Sequence, residues 1–265
     1  MVERLVPDEL WELCQRVVPV APTRPQGGGR RRHGDRGVLA AIVFVATSGC
    51  TWAQLPPCFG PSGPTAHRRF AEWTAARVWA KLYRPVLDEL GARGELDWSR
   101  CAVDSVNMRA AKKGDLTGPN PVDRGKFGSK IHLLTERTGL PISLAVSGAN
   151  LHDSQALIPL VEAIPPIRSR RGPRRRRPAK LHGDKAYDHR FIRSYLRQRK
   201  IAHRIARRGV DSSARLGRHR WVIERTVAWL GGFRRLHRRY ERKGTHFAAF
   251  GTIAATPICH RRITK

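Results

Sequence analysis

Apolar positions in the first ninety residues recur at helical spacing. In PDELWELCQRVV, Leu10, Leu13 and Val17 share one face, and Pro7 with Asp8 suits a helix start. A loop follows, PTRPQGGGRRRHGDR. The pattern then predicts an apolar helix over about 37–48, a turn at SGCTW, a short helix near 51–55 and a Pro/Gly break at PPCFGPSGP. The next helix is expected to start at Thr65 in TAHRRFAEWTA, and a last one, ARVWAKLYRPVLDEL, closes the region at Gly91. Three helices with short Gly-containing turns fit a helix-turn-helix, with His67, Arg68 and Arg69 at the front of its recognition helix. They fit a plain bundle with a solvated basic face equally well.

Beyond Gly94 the period changes. RCAVDSV (100–106) is a short β-rich run, and GSKIHLLTERTGLPISLAVSGAN (128–150) reads as two strands around a tight turn at Thr138 and Gly139. DSQALIPLVEAI predicts a helix with Asp153 near its start. AKLHGD predicts a strand, DHRFIRSYLRQRK a helix, IAHRIA a strand and HRWVIERTVAWLGGF a helix. THFAAFGTIAATPIC predicts a final apolar helix broken near Pro257. Strands alternating with helices indicate an α/β layered fold behind an all-helical leader. The expected division is 1–92 and 96–262, with RSRRGPRRRRP (168–178) as an exposed, mobile linker of like charges.

Charge narrows the function. The 265 residues carry 51 Lys and Arg against 21 Asp and Glu, a formal net charge of +30. A chain this basic calls for an anionic partner, nucleic acid before a membrane surface, because each phosphate neutralised releases a counterion. The longest apolar run, VLAAIVFVA, is half a membrane span, and MVERLVPDEL lacks a secretory pattern, so a cytoplasmic, nucleoid-associated protein with no membrane partner is expected. Five scattered cysteines without a CxxC pair are expected to be ordinary buried thiols.

Within this excess of cations three acids stand in apolar settings. Asp104 lies inside or at the end of the strand CAVDSV, Asp184 at the end of KLHGD, and Glu224 inside RWVIERTVAWL. A carboxylate so placed costs several kcal/mol unless a cation or metal pairs with it. Either aspartate alone could cap the following turn, and Glu224 could pair with Arg220 one helical turn back, an interaction of about 0.3–0.5 kcal/mol. Together they suggest a set of hard oxygen ligands for Mg²⁺ or Mn²⁺, with two ions about 3.5–4 Å apart as the arrangement suited to phosphodiester cleavage.

At these residues the chain resembles the DDE transposases of bacterial insertion sequences, closest to insertion-sequence family five and near family four. The resemblance is carried by SGCTWAQLPPCFGPSGPTAHRRFAEWTAARVWAKL in the leader, and by AVDSVNMRAAKKG, GPNPVDRGKFGSKIHLLTERTGLPISLAVSGANLHDS, GDKAYD and RWVIERTVAWLGGFRRL beyond it. It implies a ribonuclease-H-like catalytic core, a mixed sheet flanked by helices, and maps the catalytic, metal-binding acids onto Asp104, Asp184 and Glu224. It implies that Arg220 contacts DNA near the cut end. The family's frequent tyrosine before that arginine is Gly217 here, and its lysine after the glutamate is Gly231, with Arg234 and Arg235 close by. Lys126, Lys130 and His132 lie on the strand beside Asp104, facing either phosphate or solvent. Asp153 reads as a helix cap ahead of a fourth ligand, and His182 and Lys185 flank Asp184.

The function implied is a Mg²⁺-dependent transposase that binds terminal inverted repeats and target double-stranded DNA, cleaves a strand and transfers it, working as a homodimer or higher synaptic assembly. The alternatives are a DNA-binding protein without catalysis, either a regulator or a decayed transposase, and a nuclease of the same fold.

Overall fold

The structure is a computed structural model, described here for residues 1–20, 32–210 and 217–264, with side chains of the last segment from Trp221 onward. Its N-terminal helices are α1 (Val2–Leu5), α2 (Asp8–Gln15), α3 (Asp35–Ser48), α4 (Gly63–Ala75) and α5 (Val78–Arg93). Helix α3 starts two residues before the expected position because Asp35 suits a first helical turn, and it stops where Gly49 takes φ +73°. Helix α4 starts at Gly63 rather than Thr65, with Pro64 pre-set for the first turn. Between them Trp52–Gln54 forms one 3₁₀ turn closed by a reciprocal Thr51–Gln54 capping box.

The sheet holds β1 (Cys101–Ala110), β2 (Gly118–Pro119), β3 (Phe127–Glu136), β4 (Pro141–Gly148), β5 (Lys180–Gly183), β6 (Ala202–Ile205) and β7 (Arg238–Arg239). The hairpin β3–β4 turns at Gly139, φ +95°, as the Thr138–Gly139 pair predicts. Strand β3 pairs antiparallel with β1, while β1 pairs parallel with β5 and β5 with β6. The sheet is therefore mixed, in the order β4–β3–β1–β5–β6, with the two-residue strands β2 and β7 extending its rows. Helices α6 (Asp153–Glu162), α7 (Arg190–Gln198), α8 (Gly217–Gly231) and α9 (Gly244–Ile263) complete the molecule.

Two apolar cores lie on opposite faces of this sheet. Val103, Leu134, Ile142 and Leu181 pack with α5, α6 and α7 residues on one side. Ala102, Ile131 and Leu133 pack on the other with α8, α9 and the buried faces of α3 and α4. The N-terminal helices thus share a core with the catalytic sheet instead of closing one of their own. Phe70 of α4 stacks on Phe250 of α9, ring centroids 4.7 Å apart.

Three expectations are corrected. Helix α9 runs through Pro257 without breaking: buried contacts of Ile253, Ala254 and Cys259 on both sides outweigh the one hydrogen bond a proline removes. The 168–178 segment is exposed but tied down, since Ile167 and Arg175 exchange backbone hydrogen bonds and Arg174 binds both carboxylate oxygens of Asp88. Of the cysteines only Cys14, Cys101 and Cys259 are buried; Cys58 is exposed.

Arg239 joins the last strand to the rest. It is fully buried and donates to the carbonyls of Asp115, Leu116, Glu241 and Arg242 and to Ser129 Oγ, at 2.5–3.0 Å, with its guanidinium 5.5 Å from the Phe247 ring centroid. Removing it strands several acceptors at once. Arg239→Met should lower the unfolding free energy in urea by about 3 kcal/mol or more. Arg239→Lys, with three donors and no planar fork, should recover less than half of that.

Candidate active site

Parallel pairing of β1 with β5 sets the geometry. Cys101 lies opposite Leu181 and Ala102 opposite His182. Carried two residues further, that register brings Asp104, which lies inside β1 and not at its end, level with Asp184, which follows the carboxyl end of β5. Both residues follow the alternation of Ala102, which puts them on the sheet face covered by α8. Both are half-buried, neither sealed in the core nor fully in water. The strands approach closely here: a Cβ added at Gly183 would lie 3.2 Å from Val103 Cγ1.

The capping weighed for each aspartate is present at Asp184 alone; Asp104, inside β1, precedes no turn. Asp184 Oδ1 accepts from the Ala186 amide at 2.9 Å and caps the 3₁₀ turn Lys185–Tyr187; Asp104 Oδ1 accepts from the Ser105 amide at 2.8 Å. Capping and ligation are compatible, because a carboxylate has about four acceptor positions. His182 and Lys185 beside Asp184 are half-buried. Asp188, four residues on, was not singled out from the sequence. It accepts from Arg193 Nε and Nη2 at 2.9 and 2.7 Å and from the Arg208 amide at 2.8 Å, and these bonds hold its carboxyl below the usual range. It fastens the loop that carries Asp184 to α7.

Helix α8 lies across β1, β3 and β5. Val227 and Leu230 roof a small apolar cavity of about 80 Å³ floored by Val106, Met108, Ile131 and Leu133. Glu224, one turn before Val227, sits toward the Asp104 end of that floor and is exposed. Arg225 is held beside it, donating to the Thr138 carbonyl and lying 4.7 Å from the ring centroids of both Trp221 and Trp229. The sequence signal for this stack is the i, i+4, i+8 spacing of Trp, Arg and Trp. Among the described residues no group of three or more His, Cys, Asp and Glu side chains converges tightly enough to hold an ion. The structure thus brings Asp104 and Asp184 side by side and sets Glu224 on the overlying helix, without closing the three into one ligand set.

Other candidate residues divide by burial. Lys126, His67, Arg68 and Arg234 are exposed. Lys130 is not available to phosphate: it is buried, donating to Asp153 Oδ1 at 2.9 Å and the Leu151 carbonyl at 2.8 Å. Asp153 is accordingly an ion-pair partner, and the cap of α6 is His152, whose Nδ1 accepts from the Ser154 amide. Arg69 is buried against Asp35 and the Trp73 ring, and Arg235 against Glu241, 2.7 Å, and the Cys50 carbonyl, 3.0 Å. Basic sequence alone does not separate these inward arginines from outward ones. The side chain of Arg220 lies outside the described residues, and Gly217 and Gly231 are the first and last residues of α8.

The chain matches the family described as "Transposase DDE domain" over residues 97–256 and that described as "Putative transposase of IS4/5 family" over residues 6–83. It is 45% identical over 149 residues to the "Putative transposase for insertion sequence element IS402" of Burkholderia cepacia, covering 56% of this chain and 71% of that protein. It is 38% identical over 123 residues to the "Insertion element IS402 uncharacterized 16.2 kDa protein" of the same organism, covering 46% of this chain and 84% of that one. Among solved structures, a simian T-cell lymphotropic virus intasome complexed with PP2A regulatory subunit B56 gamma aligns at TM-score 0.30 and 16% identity over 71% of this chain and 58% of that one. A pre-cleavage Mos1 transpososome aligns at 0.28 and 12% over 92% and 82%. Scores this low carry no inference.

The family matches define a polynucleotidyl-transfer class of enzyme. The chain belongs to the DDE transposases of the IS4/5 type: an insertion-sequence transposase that acts on DNA by strand cleavage and transfer, with a divalent-metal requirement. No helix among the described residues is long and apolar enough to cross a membrane.

His132 tests the polar cluster behind β1. It is buried, its Nε2 hydrogen-bonds Ser147 Oγ at 2.7 Å, and burial lowers its pKa to about 4, with Lys130 adding to the effect and Asp153 opposing it. The unfolded chain, with an ordinary histidine near 6.5, takes up a proton in the window between the two values that the folded chain refuses. Stability should therefore fall as pH drops from about 6.5 to 4, by up to about 3 kcal/mol from this residue. Urea melts of wild type and His132→Gln at pH 7, 6 and 5 should show a difference that changes in that direction; a constant difference would refute it.

Proposed function

We propose that Asp104, Asp184 and Glu224 hold the divalent ions of this transposase, Mg²⁺ in the cell with Mn²⁺ as a substitute, and that two ions are used. The observation that supports this is the β1–β5 register, which, carried on, puts a carboxylate inside β1 beside one just past the end of β5, on the face covered by the helix bearing the third. The donor set fits: all three are hard oxygen ligands, without a thiolate that would favour a softer metal. Like charge holds such carboxylates apart, and a divalent cation is what draws them together. Bound there, the metal supplies charge stabilisation on the phosphate oxygens and a water of lowered pKa.

The chain's own residues do the rest. Asp184 is oriented by the Ala186 amide and Asp104 by the Ser105 amide, so both carboxylates are pre-positioned. The Arg193–Asp188 pair keeps the Asp184 loop against α7, and Arg225, clamped to Thr138, fixes α8 and therefore Glu224 over the sheet. Exposed Lys126, Arg68, His67 and Arg234 are candidates for phosphate contact, and Arg220 for a contact near the cut end. The substrates are the element's terminal inverted repeats and then target DNA. Water attacks a phosphodiester to free a 3′-hydroxyl, and that hydroxyl attacks the target; both are in-line displacements at phosphorus. Handling two ends together calls for a homodimer or larger synaptic assembly.

The test is cleavage of a labelled duplex carrying the flanking ends of the gene, with Mg²⁺ or Mn²⁺. Asp184→Asn should lose cutting by at least about a hundredfold, on the scale of a lost charge-stabilising group, while binding the same duplex within about threefold. Wild-type binding without cutting in either metal would refute the assignment and leave a non-catalytic DNA binder. Cutting without preference for the ends would favour a simple nuclease.

A further inference from the structure

Residues 168–178 carry seven arginines in eleven positions, and the catalytic reading leaves them unused. So many like charges repel one another in the free protein. Yet the segment is seated on the molecule. The Arg168 amide donates to Asp88 Oδ1 at 2.7 Å, Arg174 binds the same carboxylate at 2.7 and 2.8 Å, and Arg176 donates to the Ile164 and Glu162 carbonyls at 3.1 Å each. On α5 the site of approach is Gly91, where any Cβ would run into the Arg168 carbonyl.

This docking divides the arginines into two sets. Arg174 and Arg176 are spent on holding the loop. Arg170, Arg171 and Arg175 are exposed, have no acid partner among the described residues, and with Ser169, Pro173 and Arg174 line an open depression of about 640 Å³ within the loop. Exposed Lys180, Arg197, Arg199 and Lys200 stand at the same end of the sheet, because β5 begins beside β6 and the end of α7. The acids of that end are engaged: Asp88 as above, Glu89 with Arg93 and Glu95 with Arg262.

The position is as telling as the charge. The loop enters β5 at its amino end, whereas Asp184 follows its carboxyl end, so four residues of strand, roughly 13 Å, lie between them. The arginine loop and Asp184 thus stand at opposite ends of β5. We propose that the docked arginine loop is a second DNA-binding surface, which grips the backbone of a duplex segment other than the one being cut. This rests on DNA being held at Asp104, Asp184 and Glu224 as proposed above.

The test is the salt dependence of binding to a fluorescent duplex of unrelated sequence, by anisotropy, for wild type and the Arg170→Glu/Arg171→Glu double variant. Arg4→Glu/Arg16→Glu, two exposed sites on the N-terminal helices, carries the same change of net charge and serves as control. The loop variant should bind roughly tenfold more weakly and its log–log salt slope should flatten by about 1.8, two phosphate contacts, with an unchanged thermal melt. Cleavage of a saturating end-bearing duplex should stay within about twofold of wild type. An unchanged slope, an equal loss in the control, or a matching fall in cleavage at saturation would each overturn the proposal. If wild type itself cuts nothing, the catalytic reading falls while the anisotropy comparison still decides this one. A third variant, Gly91→Val, should flatten the slope without altering any charge, because it displaces the loop.

Discussion

The hydrogen-bonded pairing of β1 with β5 is the constraint on which the rest depends. A parallel pair cannot be joined by a tight turn; it requires a crossover, and here β3, β4 and α6 fill it. That excursion supplies the antiparallel partner that makes β1 central, buries β3 from both sides, and leaves Asp104 inside β1 beside the carboxyl end of β5. Two neighbouring carboxylates repel, so the pairing must be strong enough to keep them level. Main-chain hydrogen bonds and the packing of Val103 against Gly183 do this without help from the acids themselves. Helix α8 is then laid over the same face by Val227 and Leu230, and its glutamate arrives as a consequence of that packing.

The network around the acids is built from arginines used as rigid connectors. Arg193 spans from Asp188 to the Ile205 carbonyl, Arg225 from α8 to the β3–β4 turn, Arg235 from Glu241 to Cys50, and Arg239 among five acceptors. A planar fork with five donors holds several loop carbonyls at once, which a lysine does not. Much of the basic composition thus goes into architecture, and the surface that meets polyanion is smaller than the net charge of +30 suggests.

How much was legible in the sequence follows from the range of each signal. Strand and helix periods are local, and so β1, the β3–β4 hairpin, β5 and α8 were readable from alternation, turn residues and apolar spacing. The three acids stood out because a carboxylate among Val, Ile and Trp looks out of place, although Glu224 turns out to be exposed on α8. What was not readable is pairwise and distant. Lys130 and Asp153 are twenty-three positions apart and meet only once α6 has folded onto β3. Arg69 finds Asp35 across thirty-four positions, and Arg235 finds Cys50 across one hundred and eighty-five. For the same reason Pro257 reads as a break: its local cost is visible in the sequence, whereas the burial that outweighs it is not.

The shared core has a consequence in time. The apolar faces of α3 and α4 are completed by α9, which is made last of the described helices. At about 5–20 residues per second, the roughly two hundred residues between them take on the order of ten seconds or more to synthesise. Through that interval the leader helices have no finished partner surface. A chain interrupted before Gly244 leaves Phe70 and Trp52 without the Phe250 they pack against. A fragment long enough to carry all three acids, but lacking the last helix, therefore leaves an apolar face of the leader helices uncovered.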